Sequence, residues 1–167
     1  MNIAPKALML LWNKLVGGDY MGYASDYFAI RDEIRNLIDT DVDPALSDIQ
    51  EIIFGEKLRV GELKFPCIFI VPGKSGNEDM EMPNEQQFVH PFSLVIVLKN
   101  QEIETGLNHL IAKAGRLFDL FMKEKRDLNG KCLYVTVRHI DPGYGQDEQS
   151  KAILHWCEVY MEVTVLI

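Results

Sequence analysis

Residues 152–167 read AILHWCEVYMEVTVLI, and the alternation in this stretch decides the fold. Ile153, Cys157, Val159, Met161, Val163, Val165 and Ile167 fall on one face of an extended chain. Trp156, Glu158, Tyr160, Glu162 and Thr164 fall on the other. A period of two with one apolar and one largely polar face is the pattern of a half-buried strand, and such strands belong to antiparallel sheets wetted on one side. Just upstream, KCLYVTVRHI (131–140) reads as a second strand and DPGYGQDEQS (141–150) as the turn between them. Residues 131–167 therefore form a hairpin.

Working outward, the period changes to that of a helix over 102–125. Ile103, Leu107, Leu110, Ala114, Leu117, Phe118 and Phe121 make one continuous stripe. Lys123, Lys125 and Arg126 suit the negative end of that helix, and Asn129-Gly130 makes the next turn. FVHPFSLVIVL (88–98) is a strand in which Pro91 calls for an edge, a bulge or the strand's beginning. A strand at 65–71 ends at Pro72-Gly73, and a shorter one is expected near 57–63. Between these pieces, GKSGNEDMEMPNEQQ (73–87) is a long acidic loop. It reads either as a solvated segment or as one that orders on a partner through Met80 and Met82. Residues 24–38 form a helix with Tyr27, Ile30, Ile34, Leu37 and Ile38 on one stripe. Phe28 lies off that stripe, against the N-terminal arm or a partner. Residues 4–16 suit a short helix within an apolar arm at 1–18. The expected fold is α+β, a two-layer sandwich. It has a mostly antiparallel sheet, the long amphipathic helix on one face, and N-terminal helices. The whole of 1–167 is read as one domain.

Composition narrows the function. Hydrophobic residues make up 47% of the 167-residue chain, enough for a packed core without disulfides or a structural metal. The net charge of −8 argues against a groove that grips nucleic acid through phosphates. Cys67, Cys132 and Cys157 sit in apolar strand-like runs with no CxxC, as expected of buried, reduced thiols. No run approaches the roughly 18 apolar residues of a membrane span, and the start reads as a mature cytosolic one.

Candidate chemistry is sparse. Among His90, His109, His139 and His155, only His155 has a close cysteine. His155 and Cys157 share a strand face and could share a metal, but the sequence selects no further ligands, and a histidine beside a core thiol is the plainer reading. His109 falls on the polar side of its helix. A nucleophilic Cys132 or Cys157 would need an electropositive, exposed pocket, which apolar strand runs do not offer. Asp39-Thr40-Asp41-Val42-Asp43 resembles the opening of a calcium loop. However, Pro44 and Gln50 stand where glycine and glutamate are required, leaving an acidic turn over 40–50. Gly143-Tyr144-Gly145 is a lone GxG that precedes no helix, and it reads as part of the hairpin turn. No catalytic residue, cofactor site or metal site is assigned, and the protein is read as no enzyme.

The order of these segments resembles that of the tail terminator (tail completion, tail-to-head joining) proteins of long-tailed bacteriophages. A first helix ends at Leu37-Ile38. FPCIFIVPG runs into a long loop, FVHPFSLVIVLKN runs into a long helix, and KCLYVTVRHI and ILHWCEVYMEVTVLI close the chain. The resemblance covers residues 20–167. It implies a non-enzymatic virion protein, a homo-hexameric ring that caps the tail tube and meets the head connector. DNA would pass its channel without sequence-specific binding. It implies residence in the tail or neck after assembly in the host cytoplasm, without a membrane. Under it, Glu78, Asp79, Glu81 and Glu85 are candidates for the lumen or partner face. Phe28, Leu10 and Leu11 are candidates for subunit contact, and Trp156 and Tyr160 for a partner surface. The alternatives are another binding module of similar fold, or a small metal protein using His155 and Cys157.

Overall fold

The computed structural model describes residues 23–55, 62–73 and 87–166. Helix α1 spans Tyr23–Asp39 and is followed by strand β1 at Glu51–Phe54, β2 at Cys67–Pro72 and β3 at Gln87–Lys99. Helix α2 follows at Ile103–Asp119 and passes into a π-turn at Leu120–Glu124. Strands β4 at Tyr134–Gln146 and β5 at Ile153–Leu166 complete the order. The strands form one five-stranded sheet in the order β1-β2-β3-β5-β4. β1 runs parallel to β2, and every other pair is antiparallel.

The hairpin alternation is realised along β5. Cys157, Val159, Met161, Val163 and Val165 join Phe92, Leu94, Ile96 and Leu98 of β3 in the core. Helix α1 adds Ile30, Ile34, Leu37 and Ile38, and α2 adds Leu110, Ala114 and Leu117. Both helices thus cover the same face of the sheet, and the fold is α+β in two layers.

Four features depart from the sequence expectation. The strand before β2 is Glu51–Phe54, directly after the acidic turn; the expected position near 57–63 falls mostly on residues outside the described set. The long helix does not run regularly to residue 125. The Lys125 amide donates to the Leu120 carbonyl, an i to i+5 bond, as the chain packs both Leu120 and Phe121 inward. Strand β4 does not stop at Ile140 but continues through Asp141-Pro142-Gly143-Tyr144-Gly145 to Gln146. The two glycines serve close packing there rather than a turn. Gly143 pairs with Trp156, and a β-carbon on Gly143 would come 2.8 Å from the indole. Pro142 is tolerated because β4 is an edge strand. Finally, Thr164 at the end of the polar face of β5 is only 5% exposed, so the exposed row stops short of it.

Pro91 lies within β3, where β2 ends. Its carbonyl accepts from the Gly73 amide at 2.8 Å, one residue past the last β2 pair, Pro72 with Phe92. Its missing N–H faces the same side, beyond the last β2 pair, and so leaves the β3–β5 ladder intact.

Candidate assembly surface

The helices leave the opposite sheet face to side chains of β3, β4 and β5. Its centre is a polar cluster built across three strands. Ser93 of β3 donates to Glu158 of β5 at 2.5 Å. His139 of β4 lies 3.3 Å from the other oxygen of Glu158, and its ring stacks on Tyr160 at 5.0 Å between centroids and 8° between planes. His139 reaches this face because a bulge at Arg138 shifts the β4 register between Val137 and His139. Arg138 pairs with Glu162 at 2.6 Å. The Ser93 hydroxyl holds the Glu158 carboxyl below its usual range against the cost of burial, and His139 adds to the effect. Acyl transfer needs the imidazole between the hydroxyl and the acid. Here the carboxylate takes both contacts and is a weakened base, so the cluster does not activate Ser93.

Trp156 lies on the same face, 42% exposed, across Gly143 and Gly145. Tyr160 is half-buried under His139. Phe28 is half-buried on α1, with the Arg31 guanidinium 5.0 Å above its ring and Tyr27 edge-on at 5.5 Å. The structure therefore brings Trp156 and Tyr160 onto one surface and places Phe28 on a helix of the other layer. Leu10, Leu11, Glu78, Asp79, Glu81 and Glu85 lie outside the described residues, as does the arm at 1–18.

His155 and Cys157 share a face, as their spacing requires, but that face is the core. His155 is fully buried, neither ring nitrogen has a hydrogen-bond partner among the described residues, and the ring packs against Gly106 of α2. Among the described residues no three His, Cys, Asp or Glu side chains converge as a metal site. His109 is exposed on α2. Burial depresses the basicity of His90, which is enclosed by Tyr27 and Phe88. The acidic turn at 40–50 is occupied by the protein's own cations. Arg116 of α2 binds both oxygens of Asp41 at 2.8 Å and also pairs with Glu124. Lys113 donates to the Ala45 carbonyl at 2.7 Å and to Asp48. The sequence reading missed Arg116 and Lys113. Two cations three residues apart on α2, facing an acidic turn earlier in the chain, were the available signal.

All three cysteines are free. Burial pushes the Cys132 thiol up to about 12 and the Cys157 thiol up to about 11. Thiolate is the reactive form, so a maleimide or disulfide reagent at pH 8 will leave Cys132 and Cys157 unmodified in the folded chain. Mass spectrometry will show all three modified in urea. Fast labelling of native Cys157 would contradict the burial described here.

No family model matches the chain, and no curated protein is similar to it in sequence. Among solved structures, the chain is similar in fold to one from the virion of a native gene transfer agent particle. The TM-score is 0.57 at 11% identity, over 87% of this chain and 100% of that one.

Proposed function

We propose that this chain is a structural component of a phage-like virion and acts as a tail terminator. In this reading it forms a homo-hexameric ring that caps the tail tube and offers a face to the head connector. The observation that carries the reading is the likeness, across the whole of the other chain, to a component of a gene transfer agent virion. The surface chemistry supports it. The open sheet face presents Trp156 together with the Arg138–Glu162 ion pair and the Ser93–Glu158–His139 contacts, the mixture of aromatic anchor and polar rim that protein contacts use. The net charge of −8 suits a channel that DNA passes without being held. The acidic loop 73–87 and the apolar arm at 1–18 are further partner faces in this proposal.

Light scattering coupled to size exclusion, with negatively stained particles, tests it. The expected result is a closed ring with a central pore that binds one end of purified tail tubes. A strict monomer at high concentration that also fails to bind tubes would refute the assignment.

A further inference from the structure

The two edges of the sheet, β1 and β4, differ in chemistry. Beside β1, the Arg31 guanidinium lies 5.0 Å from the Phe28 ring and 4.3 Å from the Phe54 ring, and that of Arg35 lies 5.2 Å from Phe54. Arg31 is paired with Asp32. Arg35 is exposed and makes no ion pair among the described residues. This edge therefore presents a cation that an aromatic neighbour holds in place and no carboxylate neutralises.

The β4 edge is aromatic and acidic. Tyr134, Ile140 and Tyr144 of β4 and Trp156 beside it are exposed. Trp156 lies across Gly143 and Gly145, and Asp141, the next residue of β4 on that face, stands opposite Glu158. Glu158 is engaged by Ser93 and His139, and Glu162 by Arg138. Asp141 is exposed and has neither an ion pair nor a side-chain hydrogen bond among the described residues. The bulge at Arg138 and the missing N–H of Pro142 obstruct the addition of another strand. A contact at this edge is therefore made by side chains.

We propose that the β4 edge of one copy receives the Arg35 edge of a second copy. Arg35 of one copy pairs with Asp141 of the other and stacks on the outer face of its Trp156 indole. The occupant is a second copy because the chain carries both halves of the match. Copies with a net charge of −8 repel at a distance, so association requires local complementarity of this kind. Each copy has one edge of each kind, so the contact repeats head to tail and can close on itself. It supplies the subunit contact of the ring proposed above and rests on that reading for closure alone.

The test is sedimentation velocity of the full chain over a concentration series in about 0.1 M salt. Wild type is expected to associate. Arg35→Glu and Asp141→Arg, both at exposed positions, should fold normally by circular dichroism. Each alone should raise the concentration of half-association at least about ten-fold. The two substitutions move the net charge in opposite directions, so a general charge effect would weaken one variant and strengthen the other. An equal mixture of the two single variants should recover wild-type association, because each reversed edge then meets its reversed counterpart. A monomeric wild type, single variants that associate like wild type, or a mixture that fails to recover would each overturn the proposal. Rings that persist in both single variants would remove this contact and leave the ring. Association that follows the charges as expected, in rings that ignore tail tubes, would remove the tail assignment and leave the contact.

Discussion

Arg116→Ala will destabilise the fold by about 3 kcal/mol in urea unfolding at pH 7, although it removes a side chain from the outer part of a helix. The reason lies across the layer boundary. Asp41 is 5% exposed in its side chain and Arg116 15%, and the two share a bidentate pair at 2.8 Å. Truncating one partner leaves the other carrying a buried charge, the costly way to break such a pair. The cost has a pH signature. Asp41 is held below its usual carboxylate range by the Arg116 hydrogen bond first of all. A group whose acidity is strengthened by folding contributes stability above its unfolded value, near 3.8, and loses it as pH falls through the folded value. The gap between wild type and Arg116→Ala should therefore narrow below about pH 4. The double variant with Asp41→Asn should recover about half of the loss at pH 7. A constant gap from pH 7 to pH 3 would show that the guanidinium acts by packing alone.

Gly106→Ala will cost about 2 kcal/mol, opposite in sign to its effect in an isolated helix. Alanine is favoured over glycine in a helix interior by about 1 kcal/mol. Here a β-carbon would sit 2.5 Å from both Cδ2 and Cε1 of His155, and closer still to Nε2. The ring cannot withdraw. It is fully buried, and β5 is fixed between β3 and β4 along its length. Overpacking of this kind costs about 1–3 kcal/mol beyond any propensity gain. In a His155→Ala background the same substitution should be neutral or stabilising, a coupling of at least about 2 kcal/mol across the two sites. Equal effects in both backgrounds would remove the close approach of α2 to β5 from the account.

Which parts of this fold were legible in sequence follows from the range of the forces involved. The β5 alternation and the α2 stripe were readable because each element carries its own period, and a buried face imposes that period locally. The apparent turn at Asp141-Pro142-Gly143-Tyr144-Gly145 misled because its residues favour turns in isolation. What holds them extended is Trp156 on the neighbouring strand, a contact no local window contains. The same holds for Arg116 with Asp41, 75 residues apart, and for Gly106 with His155. On the open face, Trp156 and Tyr160 could be picked from β5 alone. Ser93 and His139 could not, since their meeting at Glu158 depends on strand order and on one bulged residue.

The position of β5 sets a timetable for synthesis. β5 is the last described strand in the chain yet lies between β3 and β4, so neither side of the sheet can join the other until residues 153–166 have left the ribosome. Until then the nascent chain holds β1, β2 and β3 with the helices, and β4 has no neighbour to pair with. The open face is assembled across β3, β4 and β5 and comes into being only with that insertion. A chain translated short of β5 therefore lacks the Ser93–Glu158–His139 cluster, whose carboxylate comes from that strand.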